Sequence, residues 1–161
     1  MDYFLLYFSS LFIVCSVIGY GFLLARIVNK DLLYFNLGYI GLLGFLILVI
    51  LSYTTIFFYK HNYAHNLIVH AFGITTFLYY YKKKNLNKEF IKLLILFTIF
   101  FCGLLILNNH DDFSYYHLTY SLGLTENKLF LGLGNLGHGY RHHSSLFFLN
   151  SILYLPFIKF Y

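Results

Sequence analysis

Apolar residues run almost unbroken from residue 3 to residue 25, and the run stops at Arg26 and Lys30. A second run, 37–58, stops at Lys60. A third, 64–81, is interrupted by His65, Asn66 and His70 and ends in Lys82-Lys83-Lys84. A fourth covers 90–107, and a fifth, 146–160, contains Pro156. A helix that crosses about 30 Å of hydrocarbon needs about 20 apolar residues. The pattern therefore predicts an all-α fold, a polytopic transmembrane helix bundle of about five spans with short connections between the first four. Between the fourth and fifth runs lies a long polar stretch, 108–145, which is expected to be a loop carrying a short amphipathic helix. No internal repeat, Pro-rich linker or soluble domain interrupts this order, so 1–161 reads as a single membrane domain.

Composition agrees with that reading. Hydrophobic residues make up 60% of the 161 residues and charged residues only 11%, against about 25% charged in an average soluble domain. The formal charge of +5 does not indicate a nucleic-acid partner, because the basic residues stand mostly at the ends of apolar runs. There they set orientation. Arg26 and Lys30 follow the first run, and Lys82, Lys83, Lys84, Lys88 and Lys92 separate the third and fourth. Lys60, Lys128 and Arg141 are spread over the alternate side. Cytoplasmic loops carry the excess of Lys and Arg, which puts the N-terminus and the 108–145 stretch outside, in the periplasm of a bacterial inner membrane. The 20 Phe and 17 Tyr have AT-rich codons and are read first as the mark of a low-GC genome. Cys15 and Cys102 sit inside apolar runs, and no disulfide follows from them. Asp2 and the lack of a basic leader argue against a removable signal peptide.

The candidate chemistry begins at Asn108-Asn109-His110-Asp111-Asp112. Two adjacent carboxylates beside a bilayer are costly to desolvate and call for a reason. One reason is structural: Asp112 caps a helix beginning at Phe113, and Asp111 favours its dipole. In that helix Phe113, Tyr116 and Tyr120 recur at helical spacing with His117 on the same flank, which suits an aromatic face laid on the interface. The other reason is catalytic. A carboxylate here can take a proton from a hydroxyl, or hold a divalent metal beside a phosphate.

The segment His110-Asp111-Asp112-Phe113-Ser114-Tyr115-Tyr116-His117, placed after one span and before a long loop and another span, resembles the first outer loop of GT-C type glycosyltransferases. These are multi-span enzymes that take a sugar from a polyprenyl-phosphate carrier. Related multi-span proteins of low-GC bacteria have a similar Asp-Asp loop. The resemblance covers roughly residues 90–160. It implies that Asp111 or Asp112 is the catalytic or metal-binding position, and that the chain is the N-terminal portion of a longer enzyme. Two features depart from the family: three runs precede the motif run, and the further spans that would complete the substrate sites are not in this sequence. A frame continuing past Tyr161 would strengthen the reading. A true end there would favour a small, non-catalytic accessory membrane protein whose polar loop contacts a membrane-protein partner.

Two further motifs compete for attention. Gly132-Leu133-Gly134-Asn135-Leu136-Gly137 matches GxGxxG but lacks the strand–turn–helix context of a dinucleotide site, so its glycines are assigned to a tight turn or a close backbone approach. His138-Gly139-Tyr140-Arg141-His142-His143 and His61-Asn62-Tyr63-Ala64-His65 resemble histidine boxes of membrane di-iron oxidoreductases. A third box is missing, and the expected side of the membrane is the wrong one. In the glycosyltransferase reading, Arg141 with His142, His143 and His117 would bind the carrier phosphate, for which the planar guanidinium fork is suited. Ser144 and Ser145 are expected to cap the last helix, and His65 and His70 to make packing contacts with neighbouring helices. No cofactor beyond a divalent metal at Asp111 and Asp112 is implied.

Overall fold

The computed structural model describes residues 3–106, 113–129, 132, 135, 141 and 144–156. The regular elements in it are all helical: α1 (Tyr3–Val28), α2 (Leu37–Thr55), α3 (Tyr63–Lys84), α4 (Asn87–Leu104), α5 (Leu118–Glu126) and α6 (Ser145–Leu153). A 3-10 turn, Lys30–Tyr34, separates α1 from α2, and a π-helical turn, Phe113–His117, leads into α5. Two helices, α1 and α2, are long and apolar enough to cross a membrane, with mean hydropathies of 2.2 and 2.1. The 22 residues of α3 would span about 33 Å, but its imidazoles, Asn66 and terminal lysines lower its hydropathy. Lys88, Glu89 and Lys92 do the same for the start of α4.

Local chemistry sets most helix boundaries. Asn36 and Asn62 accept the backbone N–H groups of Tyr39 and His65, each at 3.0 Å, and so cap α2 and α3. Asn85 ends α3 in the left-handed region, with φ 51°, which asparagine tolerates better than most residues. The second apolar run extends to residue 58, but α2 stops at Thr55, whose carbonyl takes the N–H groups of both Phe58 and Tyr59. Ser144 caps α6 through its side chain. Helix α6 ends before Pro156, because a residue preceding proline avoids the helical region. Its nine residues span about 14 Å, less than a bilayer crossing. Gly132 has φ +89° and accepts the N–H of Asn135 at 2.9 Å, a turn that glycine makes without strain.

Contacts divide the chain into two compact units. The first comprises residues 1–48 and 69–108. Its core is Cys15, Ile18, Phe22 and Ala25 of α1 with Leu37 and Ile40 of α2 and Phe77 and Tyr80 of α3. Helices α1 and α3 meet at Gly19 and Gly73, where a Cβ on Gly19 would run into the Gly73 carbonyl. Such small residues let helix backbones approach closely. The approach is bracketed by two hydrogen bonds: Ser16 Oγ to His70 Nδ1 at 3.0 Å, and Tyr20 donating to the Val69 carbonyl at 2.8 Å. Tyr7 fastens α1 to α4. It donates to Thr98 Oγ1 at 2.8 Å, Thr98 having given its own proton to Leu94, and its ring packs against Phe97 and Phe101.

The second unit comprises residues 49–68 and 109–161. Ile56, Tyr120, Leu124, Phe147 and Phe148 form its core, with Tyr53 stacked on Phe148 at 4.3 Å. Helix follows Asp112, but its first five residues, Phe113–His117, wind as a π-helical turn before α5, and the described side chains of the expected aromatic face meet protein. Tyr116, His117 and Tyr120 all lie against Phe147 of α6, at ring separations of 6.0, 5.1 and 5.0 Å. Tyr120 is buried there and Tyr116 and His117 are half-buried, where a lone interfacial helix would lay these rings on lipid.

Candidate functional site

Of the residues expected to carry chemistry, His117 and Arg141 are described; Asp111, Asp112, His142 and His143 lie outside the described residues, as do His110 and His138. His117 is half-buried at the end of the π-helical turn, its ring edge-on to Tyr116 at 4.2 Å. Arg141 is exposed.

The described polar chemistry centres on His61, which is fully buried in the second unit. Nδ1 lies 2.6 Å from Ser151 Oγ, and Nε2 lies 2.9 Å from Thr55 Oγ1. Its backbone N–H donates to the Leu124 carbonyl at 3.0 Å. Burial, and secondarily the neighbouring His65, push the imidazole down to about 3, so His61 is neutral at ordinary pH. A neutral ring donates from one nitrogen and accepts at the other. Both hydroxyls also reach helix carbonyls, Ser151 that of Phe148 and Thr55 that of Leu51, each at 2.7 Å, so the hydroxyl facing the unprotonated ring nitrogen shares its one proton between imidazole and carbonyl, and the other receives the ring N–H. With both nitrogens engaged, His61 offers no lone pair to a metal without giving up a bond.

Asn66 completes the cluster. Its amide nitrogen faces three carbonyls, those of His61, Ser151 and Tyr154, at 2.9, 2.7 and 2.8 Å, and its oxygen faces His65 Nδ1 at 2.9 Å. The His61 and His65 rings stack at 4.9 Å. Tyr63 donates to the Tyr154 hydroxyl at 2.6 Å over rings stacked at 4.6 Å. This network ties the start of α3 to the end of α6. Among the described residues no three His, Cys, Asp or Glu side chains converge as a metal site would require.

Beside the network lies an open groove of about 770 Å³. Phe58, Tyr59, Ala64 and Ile68 give it an apolar wall; Lys60, Lys128 and Glu126 give it charge; and His65 reaches it from the cluster. Phe58 and Ile68 remain 67% and 71% exposed, so the wall is unfilled. Such a groove suits a ligand with an apolar chain and an anionic head. His65 and Asn66 already stood out as polar breaks in an apolar run. Thr55, Ser151 and the pairing of Lys60 with Lys128 gave no sequence signal, since nothing local brings residues so far apart together.

No family model, curated protein or solved structure matches the chain.

Proposed function

We propose that this chain is the helical membrane part of a glycosyltransferase that takes its sugar from a polyprenyl-phosphate carrier at the outer face of a bacterial inner membrane. In this reading α1 to α4 each cross the bilayer and residues 146–160 begin a fifth crossing. The polar groups of α3 are compatible with a span because they are partnered: His70 with Ser16, and Asn66 with three carbonyls. Lys88, Glu89 and Lys92 stand at the start of α4, at head-group level.

The observation that carries the reading is the groove. It joins the α2–α3 turn to Glu126–Lys128 of the same polar stretch that holds Asp111 and Asp112. It also pairs apolar walls with two lysines, the chemistry of a lipid phosphate. Asp111 or Asp112 accepts the proton of the acceptor hydroxyl. The hydroxyl oxygen forms the new bond to the sugar C1 as the bond from C1 to the phosphate oxygen breaks, and the carrier leaves as polyprenyl phosphate. Lys60 and Lys128 meet the carrier phosphate in the groove; Arg141, His142, His143 and His117 are the further phosphate contacts that the resemblance implies, and of these the described His117 and Arg141 do not line the groove.

The test is consumption of a polyprenyl-phosphate-linked hexose by membranes containing the full chain. Replacing Asp111 and Asp112 together by Asn is expected to lower it by roughly 100-fold or more, the scale of a lost general base, with membrane insertion intact. Arg141→Ala should raise the donor KM by about 10-fold, as expected for one lost charge-assisted contact. Undiminished transfer by the double Asn variant would end the proposal and leave an accessory membrane protein.

A further inference from the structure

A second cavity, of about 910 Å³, lies in the first unit. Its walls are the end of α1, the Lys30–Tyr34 turn and the junction of α3 with α4. Four cations line it, Arg26, Lys30, Lys83 and Lys84, against two carboxylates, Asp31 and Glu89. Glu89 is paired with Lys92 at 3.0 Å. Among the described residues none of the four cations pairs with a carboxylate.

Orientation in a membrane accounts for lysines in this part of the sequence, but not for their convergence. Lys82 and Lys88 belong to the same lysine-rich segment and do not line the cavity. Lys84 is held in place by donating to the Leu33 carbonyl, with its ammonium 4.8 Å from the Tyr34 ring centre. Tyr34 is 85% exposed, and Phe35 and Tyr39 beside it are also exposed, an aromatic rim of the kind that sits at head-group level.

We propose that this cavity binds the phosphate of an anionic phospholipid head group. The proposal rests on α1 and α2 lying in a bilayer, and not on the transfer reaction. The phosphate meets Arg26, Lys30, Lys83 and Lys84, and the acyl chains lie along the exposed Ile27 and Phe35.

The experiment titrates the detergent-solubilised full chain with short-chain phosphatidylglycerol and counts bound lipid by native mass spectrometry. Phosphatidylcholine of equal chain length is the comparison. One saturable phosphatidylglycerol is expected per chain. Replacing Lys30 and Lys83 by Gln should weaken it by about 10-fold or more, given what each cation near anionic lipid contributes. Replacing Lys82 and Lys88 by Gln removes the same charge and should weaken it less than about 3-fold. The exposed positions of all four side chains keep the variants foldable, and replacing Lys30 and Lys83 by Arg should restore binding. Equal losses in the two Gln variants would mean diffuse attraction and overturn the proposal, as would equal binding of the two lipids. Displacement by low-millimolar inorganic phosphate would assign the cavity to a soluble phosphate and overturn the lipid assignment. A chain that fails to float with phosphatidylcholine vesicles overturns the membrane reading itself; one that floats without discriminating lipids overturns only the head-group site.

Discussion

His61 and Asn66 are the residues whose loss has the clearest physical consequence. His61 has an ordinary value of 6.5 in the unfolded chain and about 3 when folded. Between those values the unfolded state binds a proton that the folded state refuses. Stability is therefore whole above pH 6.5 and falls as pH drops toward 3, by at most about 1.4 kcal/mol per pH unit from this group. Thermal unfolding in detergent at pH 4.5, 5.5, 6.5 and 7.5 should show that slope in the parent and a flatter profile in His61→Gln. Identical profiles would exclude His61 as its source. Asn66→Ala strips a donor from three carbonyls and should cost about 2–3 kcal/mol. Asn66→Asp should be worse, because it turns an acceptor toward those same carbonyls. An Asp variant more stable than the Ala variant would contradict the assigned orientation of the amide.

At the scale of elements, close approach of α1 to α3 depends on the absence of side chains. Gly19→Leu places carbon against the Gly73 carbonyl, which cannot yield without parting the helices. The variant should lose its sharp thermal transition and become susceptible to trypsin, while Gly41→Leu, whose added Cβ meets only the Ile18 side chain at 3.9 Å, should keep both. The α3–α4 turn offers a smaller test: Asn85→Ala should cost about 1 kcal/mol through its left-handed backbone, and Asn85→Gly should not. Much of this level was legible in the chain. The first four apolar runs correspond to α1 to α4, and Ser144 is the cap its sequence position suggested, because hydrophobic period and capping chemistry are local. The helix around Tyr116 and Tyr120 was legible too, but not its partner: apolar spacing says which face is buried without saying what buries it. Phe147 supplies the missing surface from 27 residues past Tyr120.

For the molecule as a whole, the chain's candidate chemistry falls in two classes. Asp111 and Asp112 were visible because charge is rare in this composition. The groove and the basic cavity were not, because each is assembled from segments far apart in sequence, and only the fold pairs Lys60 with Lys128 or Lys30 with Lys83. The alternation of basic loops gives a test of orientation. With Cys15 and Cys102 replaced by Ser, a cysteine at Lys60 should react with an impermeant maleimide added to intact cells. A cysteine at Lys88 should react only after the membrane is opened. Labelling of both from the same side would require one fewer crossing between them.

The tie between α3 and α6 also bears on how the protein is made. Ser151 lies 90 residues beyond His61 and 85 beyond Asn66. At roughly 5–20 residues per second of synthesis, the imidazole and the amide wait about 5–20 seconds on the ribosome before their partners exist. During that interval their hydrogen bonds must be met by water, so the first unit can be fully packed while the second is still open. A translational pause before residue 145 would lengthen the exposure, and a chaperone that shields the Phe58–Ile68 surface would act in that window.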